Sequence, residues 1–382
     1  MRILWYSNAP WSKSGYGIQT RLITQALSQL GHKLAVMCNY GLAGGPLGSD
    51  EGVRYYPNGY TAHGNDVIQA HADDFKADVI VSMYDAWPLH FQRLKTPWIA
   101  WAPVDHDPAP QIVIDALRPA NRVVSYSWFG QREFERVGIK ADYIPCGVET
   151  HLYTPGDKAE ARERVGLPQG VFIAGMVGAN TGYPCRKNIP QALAAFATFA
   201  REHRGAVMYL HTEEQGIQSG VRLKPLIDAL QLGPDALRLC DQYQYTLGFP
   251  DSYMVDLYRS MDVLLSPSMG EGFGIPIAEA QACGTPVIVC DATSMPELVG
   301  GGWLIRPSDL ERWWDVQGAW QVVPHERAIV DALHRAAECK SRPDEYARYQ
   351  ARARAKAMDY DLAAVVAPAW DRYLHDWQAA RE

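Results

Sequence analysis

In the first part of the chain, short apolar segments lie on either side of a segment whose apolar residues recur with helical periodicity. From Ile18 to Leu30, apolar side chains recur every three or four residues, which predicts an amphipathic helix that ends at Gly31. Runs of mostly apolar residues predict strands that are covered on both faces, as in a parallel sheet. In the first part of the chain these runs are Ile3 to Tyr6, Leu34 to Met37, Val79 to Met83, Trp98 to Ala102 and Val123 to Tyr126. The chain therefore opens as a parallel α/β unit.

The same alternation begins again after the turn-forming stretch TPGD at residues 154–157. The predicted strands of this second part are Phe172 to Val177, Val207 to His211, Leu237 to Leu239, Val263 to Leu265, Val287 to Val289 and Trp303 to Ile305. Two rounds of alternation predict an α/β protein with two Rossmann-like, doubly wound domains. We place the first domain at residues 1–160, the second at 161–360 and a C-terminal amphipathic helix at 361–382.

The stretch SPSMGEGFGIPIAEAQACGTPVIVCD, residues 266–291, is the most informative part of the sequence. It predicts a strand, a glycine-rich loop, a helix that begins at about Pro276, and a further strand. The amides of Phe273, Gly274 and Ile275 have no acceptor inside that helix. Together with the helix dipole, they predict a site for an anion or for sugar oxygens.

Charged side chains accompany these amides. Glu271 lies in the loop and Glu279 lies eight residues later in the helix, so carboxylate acceptors stand beside amide donors. A second glycine loop, residues 178–188, follows a predicted strand and carries Arg186 next to Lys187. Two adjacent cations suit a diphosphate, because Lys supplies a point charge and Arg a bidentate fork. These features favour a polyhydroxylated ligand that carries phosphate.

The loops of the first predicted domain carry less specific features. Gly15 and Gly17 follow the first strand, at the edge where ligands bind in open α/β sheets. His106 stands between two aspartates after the strand that ends at Ala102, and is a candidate for a pH-tuned or hydrogen-bonding group. The alternatives are a plain turn for the glycines and a solvated loop side chain for the histidine. A metal site is poorly supported by this single short cluster.

Composition excludes several classes of protein. The chain has 382 residues, of which 47% are hydrophobic and 21% charged, so it suits two ordinary globular domains. Its net charge of -7 offers no basic field for nucleic acid or an anionic membrane. Seven scattered cysteines indicate neither a disulfide framework nor a zinc site. Without a signal-peptide pattern or an apolar run of roughly 18 to 20 residues, we expect a cytoplasmic protein that has no integral membrane segment.

The run GEGFGIPIAEAQACGTPVI resembles the E-x7-E signature of retaining glycosyltransferases of the GT-B fold, in particular glycosyltransferase family 4 (glycosyl transferases group 1). The resemblance implies two Rossmann-like domains that face each other across a cleft. The first domain would be the acceptor side, the second would bind a nucleotide-sugar donor, and the C-terminal helix would pack back towards the first. The reaction would move a sugar from a UDP- or GDP-sugar to an acceptor hydroxyl, with retention of configuration and without a metal or another cofactor.

For the second domain, the resemblance implies individual roles. Glu271 would hold the donor sugar near its reacting carbon, with help from the amides of residues 273–275. Glu279 would accept hydrogen bonds from the ribose of the nucleotide. Lys187 and Arg186 would bind the donor diphosphate and stabilise the departing charge. Glu271, Lys187 and Arg186 are therefore candidate catalytic residues.

For the first domain, the resemblance implies that His106 is a catalytic residue that contacts the donor sugar, and that Gly15 and Gly17 lie near the donor phosphates. The chain departs from the family pattern in two places. Cys146 stands where the family has Asn, and Asn180 stands where the family commonly has the arginine of the diphosphate site. The second departure makes Lys187 the better supported cation of the pair.

Two questions stay open at this point. The acceptor could be a glycan, a small molecule, a lipid, a protein or a modified nucleic-acid base. The function could also be that of a nucleotide-sugar or dinucleotide binding protein without transferase activity. A dinucleotide enzyme would need an acid at the end of the second strand, where Asn39 and Tyr40 stand. A phosphorylase would need a cofactor lysine and usually a far longer chain.

Overall fold

The computed structural model describes residues 1–48, 52–91 and 94–381, and it divides the chain into two compact units. The first unit comprises Met1–Gly147, Asp315–Ala319 and Tyr360–Glu382. The second unit comprises Val148–Trp314 and Trp320–Asp359. The chain thus leaves the first unit after Gly147 and rejoins it for its last segment.

Each unit contains its own sheet, and nearly all neighbouring strands in these two sheets are parallel. The strands are β1 (Arg2–Ser7), β2 (Lys33–Cys38), β3 (Leu47–Gly48), β4 (Arg54–Tyr56), β5 (Val79–Met83), β6 (Trp98–Ala102), β7 (Arg122–Ser125), β8 (Ala141–Tyr143), β9 (Ile173–Val177), β10 (Val207–His211), β11 (Leu237–Leu239), β12 (Val263–Ser266), β13 (Val287–Cys290), β14 (Gly302–Ile305), β15 (Leu310–Trp314) and β16 (Trp320–Pro324). The sheet of the first unit has the order β3-β4-β2-β1-β5-β6-β7-β8, and that of the second unit β11-β10-β9-β12-β13-β14. Only β3 pairs antiparallel with its neighbour among the described strands of these sheets, whereas β15 and β16 form a separate antiparallel hairpin.

Helices separate most of these strands along the chain. They are α1 (Gly15–Gln29), α2 (Ile68–Phe75), α3 (Gln111–Leu117), α4 (Trp128–Arg136), α5 (Lys158–Val165), α6 (Ile189–Glu202), α7 (Leu223–Ala229), α8 (Gln242–Leu247), α9 (Asp251–Ser260), α10 (Ile275–Ala282), α11 (Met295–Leu298), α12 (Glu326–Lys340), α13 (Pro343–Ala357) and α14 (Ala367–Ala379). Short 3₁₀ turns lie at Ala62–Gly64, Pro307–Asp309 and Met358–Tyr360, and a π-helical turn at Leu362–Val366 precedes α14. Within the described ranges, no helix is both long enough and apolar enough to cross a bilayer.

Both sheets reverse their strand order at a point next to their first strand. In the second unit, β10 and β11 lie on one side of β9, and β12 and β13 lie on the other. In the first unit, the reversal lies between β1 and β5. Loops that leave the carboxyl ends of the strands beside such a reversal border the crevice where open α/β sheets bind ligands. These topologies confirm the predicted α/β class with two Rossmann-like units.

Apolar runs located the buried strands well. The predicted bounds of β5, β6, β10 and β11 agree with the structure at both ends. The helix predicted to begin at Pro276 begins one residue earlier, at Ile275. The pattern did not indicate β3 or the β15–β16 hairpin, because β3 is two exposed residues long and β15 is mostly exposed. Short or solvated strands have no continuous apolar run.

Three buried tryptophans form the centre of the first unit. The Trp5 ring meets the Trp101 and Trp370 rings edge to face, with centroid distances of 6.0 and 5.9 Å, and Trp101 and Trp370 are 5.1 Å apart. Trp5 lies on β1 and Trp101 on β6, which are separated in the sheet by β5, whereas Trp370 belongs to α14. Edge-to-face pairs add about 0.5 to 1.5 kcal/mol each to the burial of the rings. The cluster therefore holds α14 against the sheet of the first unit.

A buried carboxylate with several cations organises the second unit. Asp262 immediately precedes β12, and its side chain is fully buried. It pairs with Lys158 at 2.7 Å, with Arg162 at 2.8 Å and with Lys340, and it accepts a hydrogen bond from the Ile173 amide at 2.8 Å. Burial raises the pKa of Asp262, but the surrounding cations outweigh burial and hold that pKa below its usual value. The carboxylate thus joins α5, α12 and the start of β9.

We expect Asp262→Asn to lower the free energy of unfolding by about 3 to 5 kcal/mol, because the substitution leaves the buried Arg162 and the partly buried Lys158 and Lys340 without their anion. Asp256→Asn is the matched control. Asp256 pairs with Arg164, whose side chain is 47% exposed, so its loss should cost about 1 kcal/mol or less. Urea unfolding followed by tryptophan fluorescence measures both variants. Similar losses in the two variants would contradict a central role for Asp262.

Candidate functional site

Three loops of the second unit leave neighbouring strands at the same edge of the sheet. The loop 178–188 follows β9, the loop 267–274 follows β12, and the loop 291–294 follows β13. Because β9, β12 and β13 are parallel neighbours, their carboxyl ends share one edge, and the reversal of strand order lies among them. The two glycine loops singled out in the sequence therefore lie side by side.

An ion triad of Glu271, Lys187 and Arg186 joins the first two loops. The Lys187 Nζ lies 2.5 Å from Oε1 of Glu271, and the Arg186 Nη1 lies 3.1 Å from Oε2. Arg186 also donates to the carbonyl of Gly270, and its own carbonyl accepts from the Met269 amide at 2.8 Å. Side chains that are about 85 residues apart in the sequence thus form one cluster.

Burial and charge act in opposite directions on Glu271. Its exposed fraction is 5%, and burial raises its pKa. The charges of Lys187 and Arg186, with a hydrogen bond from Lys187, outweigh burial and lower that pKa to about 2. Glu271 is therefore ionised at neutral pH, and the triad has a formal charge of +1. An anionic ligand is still attracted to the cluster.

The third loop fixes the backbone around Glu271. The hydroxyl of Ser294 lies 2.7 Å from the carbonyl oxygen of Glu271 and 2.8 Å from that of Phe273. Thr293 accepts a hydrogen bond from the Glu271 amide at 3.0 Å. Neither residue was predicted from the sequence as a site residue, although both lie in the short loop after β13. The sequence feature that could have identified them is a pair of polar residues shortly after the end of a parallel strand.

The helix α10 begins without a side-chain cap. Its N-cap residue is Gly274, whose φ of 110° lies in the left-handed region that favours glycine. A Cβ at Gly274 would also lie 2.9 Å from the side chain of Ile277. Pro276 is the second residue of the helix and has no amide hydrogen. The N-terminal amides of α10, with the helix dipole, therefore offer a place for anionic or hydroxyl oxygens.

Glu279 lies in a different environment from Glu271. It is 8% exposed, and its Oε2 accepts a hydrogen bond from the hydroxyl of Tyr258 at 2.7 Å. Burial raises the pKa of Glu279 to about 7, helped by the charges of Asp251 and Glu149 and opposed by the Tyr258 hydrogen bond. The two signature glutamates are thus both buried, but one is firmly ionised and the other titrates near neutrality.

In the first unit, His106 lies between two carboxylates. It is 1% exposed, so it is not the solvated loop side chain that the sequence left open. Its Nδ1 lies 2.7 Å from Oδ1 of Asp105, and its Nε2 lies 3.3 Å from Oδ2 of Asp315. Burial lowers the pKa of His106, but the two aspartates outweigh burial and raise that pKa. Asp315 was missed because it lies in the turn of the β15–β16 hairpin, which the sequence pattern did not reveal.

The glycines of the first loop have separate explanations. The Ser14 hydroxyl accepts from the Gly17 amide at 3.1 Å and caps α1, whose first residue is Gly15. A Cβ at Gly17 would lie 2.1 Å from the carbonyl oxygen of Ser12 and 2.8 Å from that of Ala9. Gly17 is therefore required by the close approach of the preceding loop, whatever else it contacts.

Asn180 braces the loop that follows β9. It is buried, its amide group donates to the carbonyls of Glu213 at 2.9 Å and Val221 at 2.7 Å, and its Oδ1 accepts from the Val221 amide at 2.8 Å. An asparagine that makes three backbone hydrogen bonds has a structural role of its own. This departure from the family pattern therefore leaves Lys187 and Arg186 as the cations that accompany Glu271 in this loop.

Within the described ranges, the group of side chains that could hold a metal ion is His32, Asp371 and His375, and not the cluster around His106. One ligand atom from each of the three lies within 4.8 Å of the others. The His32 Nε2 lies 2.9 Å from Oδ1 of Asp371, and the His375 Nδ1 lies 3.4 Å from the same oxygen. These residues join the α1–β2 connection to α14 within the first unit.

The opposite pKa shifts of the two glutamates predict opposite effects of pH on stability. A carboxyl whose folded-state pKa exceeds its unfolded value destabilises the protein progressively as pH rises from the unfolded towards the folded pKa. For Glu279 that window runs from the ordinary, unfolded-state pKa of 4.5 to the folded-state pKa of about 7. We therefore expect the stability of Glu279→Gln, relative to the wild type, to increase by about 2 to 3 kcal/mol between pH 5 and pH 8.

Glu271→Gln is the control for this measurement. The lowered pKa of Glu271 gives stability that is fully present above 4.5 and is lost only as pH falls towards about 2. The difference between Glu271→Gln and the wild type should therefore be nearly constant from pH 5 to pH 8. Urea unfolding at several pH values measures both. A constant difference for Glu279→Gln would show that Glu279 is not held protonated in the folded protein.

Comparison with protein families identifies part of the second unit. A family model described as Glycosyl transferases group 1 matches residues 186–316, which are 131 of the 382 residues. The matched range includes Arg186, Lys187, Glu271 and Glu279, and it ends one residue beyond Asp315. The match thus covers the whole ion triad.

Curated relatives match a similar part of the chain. A D-inositol 3-phosphate glycosyltransferase of Acidothermus cellulolyticus is 32% identical over 192 residues, which are 49% of this chain and 42% of the relative. The protein of the same name from Stackebrandtia nassauensis is 28% identical over 223 residues, which are 55% of this chain and 45% of the relative. The chain therefore spans less than half the length of these relatives.

Solved structures are similar along nearly the whole chain. Sucrose-phosphate synthase from Thermosynechococcus elongatus has a TM-score of 0.79 at 18% identity, over 99% of each chain. Anabaena HepE in complex with UDP-glucose has a TM-score of 0.72 at 18% identity, over 98% of this chain and 100% of the other. The chain therefore has the GT-B fold of these structures, and residues 186–316 resemble the Glycosyl transferases group 1 family.

Proposed function

We propose that the chain is a retaining glycosyltransferase of family 4 that moves a sugar from a UDP- or GDP-sugar to an acceptor hydroxyl, without a metal ion. The observation that carries the proposal is the ion triad of Glu271, Lys187 and Arg186 beside the uncapped start of α10. The triad lies within the range that matches the glycosyl transferases group 1 model, at the strand-order reversal of the second sheet.

The triad and the helix start supply what a sugar diphosphate needs. Lys187 and Arg186 donate to the diphosphate, and the amides at the start of α10 add neutral donors. Glu271 neutralises one of the two cations, so the cluster attracts the donor with a net charge of +1. It therefore holds the product diphosphate less tightly than the two cations would hold it alone. The solved structure of HepE contains UDP-glucose, which supports a UDP-sugar among the possible donors.

Glu279 binds the ribose in this proposal. A carboxyl group accepts hydrogen bonds from two vicinal hydroxyls most strongly when it is ionised, because both of its oxygens are then acceptors, and the pKa of Glu279 is about 7 before the donor binds. Hydrogen bonds to the charged form lower a carboxyl pKa. Donor binding near pH 7 therefore releases a fraction of a proton from Glu279.

Glu271 acts as a permanent anion near the reacting carbon. With a pKa of about 2 it cannot serve as a general acid at neutral pH. Its negative charge instead stabilises the positive charge that develops on the sugar as the bond to the diphosphate breaks. The same pairing with Lys187 and Arg186 that keeps Glu271 ionised also fixes its position.

The chemical step needs no protein nucleophile. The bond between the anomeric carbon and the diphosphate oxygen breaks, and the acceptor oxygen bonds to that carbon from the same face. The acceptor proton passes to an oxygen of the departing phosphate. Lys187, Arg186 and the α10 amides stabilise the charge on that leaving group. His106 as a contact of the donor sugar, and Gly15 and Gly17 as neighbours of the phosphates, rest on the family resemblance.

A thermal-shift panel of UDP-, GDP- and ADP-sugars against NAD tests the donor class. We expect one nucleotide sugar to stabilise the wild type, and Lys187→Ala to reduce its affinity because a cation of the triad is lost. Lys224→Ala is the matched control, since Lys224 pairs with Asp228 on an exposed face and should leave binding unchanged. Sugar transfer with retained configuration should then be measurable with that donor in EDTA.

The outcomes of this panel distinguish the proposed transferase from the alternative functions. Stabilisation by NAD and by no nucleotide sugar would overturn the proposal in favour of a dinucleotide protein. Tight binding of a nucleotide sugar, without its hydrolysis or transfer to any acceptor, would favour a binding protein. Loss of activity in EDTA, with recovery on adding Mn²⁺ or Mg²⁺, would overturn metal independence.

The two glutamates should respond differently to a change in the ribose. Glu279→Ala should weaken binding of the natural donor tens-fold, since a charge-assisted hydrogen bond contributes about 1.5 to 3 kcal/mol. That loss should shrink with a 2′,3′-dideoxy donor. Glu271→Ala should lower kcat more than donor affinity, because its interaction strengthens as the sugar becomes cationic, and the dideoxy donor should not change that loss. Equal responses of the two variants would refute the assigned roles.

A further inference from the structure

A cluster of two histidines and an aspartate in the first unit takes no part in the proposed sugar transfer. It consists of His32, Asp371 and His375, and we call it the His–Asp–His cluster. Asp371 and His375 are four residues apart on α14, so they lie on one face of that helix. His32 lies in the connection between α1 and β2. The cluster therefore joins two segments that are far apart in the sequence.

The separations between the ligand atoms suit a tetrahedral metal ion. The His32 Nε2 lies 2.9 Å from Oδ1 of Asp371, and the His375 Nδ1 lies 3.4 Å from the same oxygen. A tetrahedral zinc ion that lies about 2.0 to 2.1 Å from its nitrogen and oxygen ligands separates those atoms by about 3.3 Å. The two measured distances lie on either side of that value. One ion can therefore contact all three side chains after small rotations of the side chains.

The end of α1 fixes the position of His32. Gly31 has a φ of 93°, and its amide donates to the Ser28 carbonyl at 3.0 Å. The His32 amide donates to the Leu27 carbonyl at 3.1 Å. These two bonds form a Schellman motif, which holds the residue after the glycine against the last turn of the helix. The side chain of His32 is only 2% exposed, so its neighbours also restrict the ring. His32 is therefore a ligand that is already in place.

The helix α14 fixes the other two ligands and leaves them open to solvent. Trp370, next to Asp371, is buried in the tryptophan cluster of the first unit. The side chain of Asp371 is 29% exposed and that of His375 is 61% exposed, so an ion can reach the cluster from this side. The His375 Nδ1 lies 2.9 Å from the backbone carbonyl oxygen of Asp371. An exposed ring can exchange that contact for a bond to a metal.

Protonation and charge around the cluster are compatible with a cation. Burial lowers the pKa of His32, and the α-amino group of the chain and His375 lower it further, whereas the bond to Asp371 opposes them. The His32 ring is therefore neutral at pH 7, which is the form in which imidazole binds metals. The basic sequence neighbours Lys33 and Arg372 are both exposed. Asp371 supplies the anionic ligand.

We propose that His32, Asp371 and His375 bind a zinc ion, with a water molecule in the fourth position. Two imidazoles and one carboxylate are ligands that Zn²⁺ accepts, whereas Mg²⁺ and Ca²⁺ prefer oxygen ligands alone. His32 binds through the lone pair of Nε2, and the proton of its neutral ring then resides on Nδ1. The ion ties the end of α1 to α14 and so stabilises the first unit. This site does not rest on the proposed function.

Competition with a chromophoric zinc chelator tests the site on the full-length protein, purified without a polyhistidine tag and stripped of metal with EDTA. We expect one Zn²⁺ per chain in the wild type, which Mg²⁺ and Ca²⁺ do not displace. Co²⁺ in the same site should give the intense visible absorption of a tetrahedral complex. Zinc at about a hundred-fold excess over Kd should raise the Tm by about 5 °C or more, because it binds the folded state.

Variants then locate the ion. His375→Ala removes an exposed ligand and should weaken zinc binding at least about 100-fold, since the loss of even a supporting partner of a ligand costs about 10- to 100-fold. Asp371→Asn keeps a hydrogen-bond partner for His32 but removes the anionic ligand, so zinc affinity should fall similarly while the Tm without zinc changes little. His325→Ala is the matched control. His325 is 49% exposed and lies 3.7 Å from Glu311 in the second unit, and its loss should leave zinc affinity within about two-fold.

Three results would overturn the proposal. They are the absence of stoichiometric zinc binding, unchanged affinity in both His375→Ala and Asp371→Asn, and an equal loss in His325→Ala, which would indicate non-specific binding to histidines. In the first two cases the cluster joins α1 to α14 by hydrogen bonds alone. The proposed function is tested separately, because zinc removal should lower the Tm and leave sugar transfer intact below it. Zinc binding in a protein that binds no nucleotide sugar would refute the transferase and support the zinc site.

Discussion

A carboxylate that is removed from water must be paired, and in the second unit this requirement is met at Glu271. Isolated buried charges cost several kcal/mol, so Glu271 can remain ionised only with Lys187 and Arg186 in place. Those cations come from the loop after β9, whereas Thr293 and Ser294 hold the Glu271 backbone from the loop after β13. One buried charge therefore determines how three loops meet, and the space beside the start of α10 follows from that meeting.

The two signature glutamates show that identical side chains have different pKa values in different surroundings. Both are buried, so burial alone would raise both pKa values. Two cations reverse that effect at Glu271. At Glu279 the neighbours are the hydroxyl of Tyr258 and other acids, so the raised pKa persists. At neutral pH Glu271 is therefore an anion, whereas Glu279 titrates near neutrality.

Apolar runs and the position of Pro276 were enough to predict the α/β class, the buried strands and the signature helix, because continuous burial requires continuous apolar sequence. The candidate residues Glu271, Glu279 and Lys187 were also visible, since glycine loops after strands mark the ligand edge of such sheets. The ion pairs were not predictable, because they join residues about 85 positions apart whose proximity depends on strand order. For the same reason only the tertiary structure placed Asp315 beside His106 and gave the two glutamates opposite pKa shifts. Strand order and burial are properties of the whole packed sheet, and no local stretch of sequence encodes them.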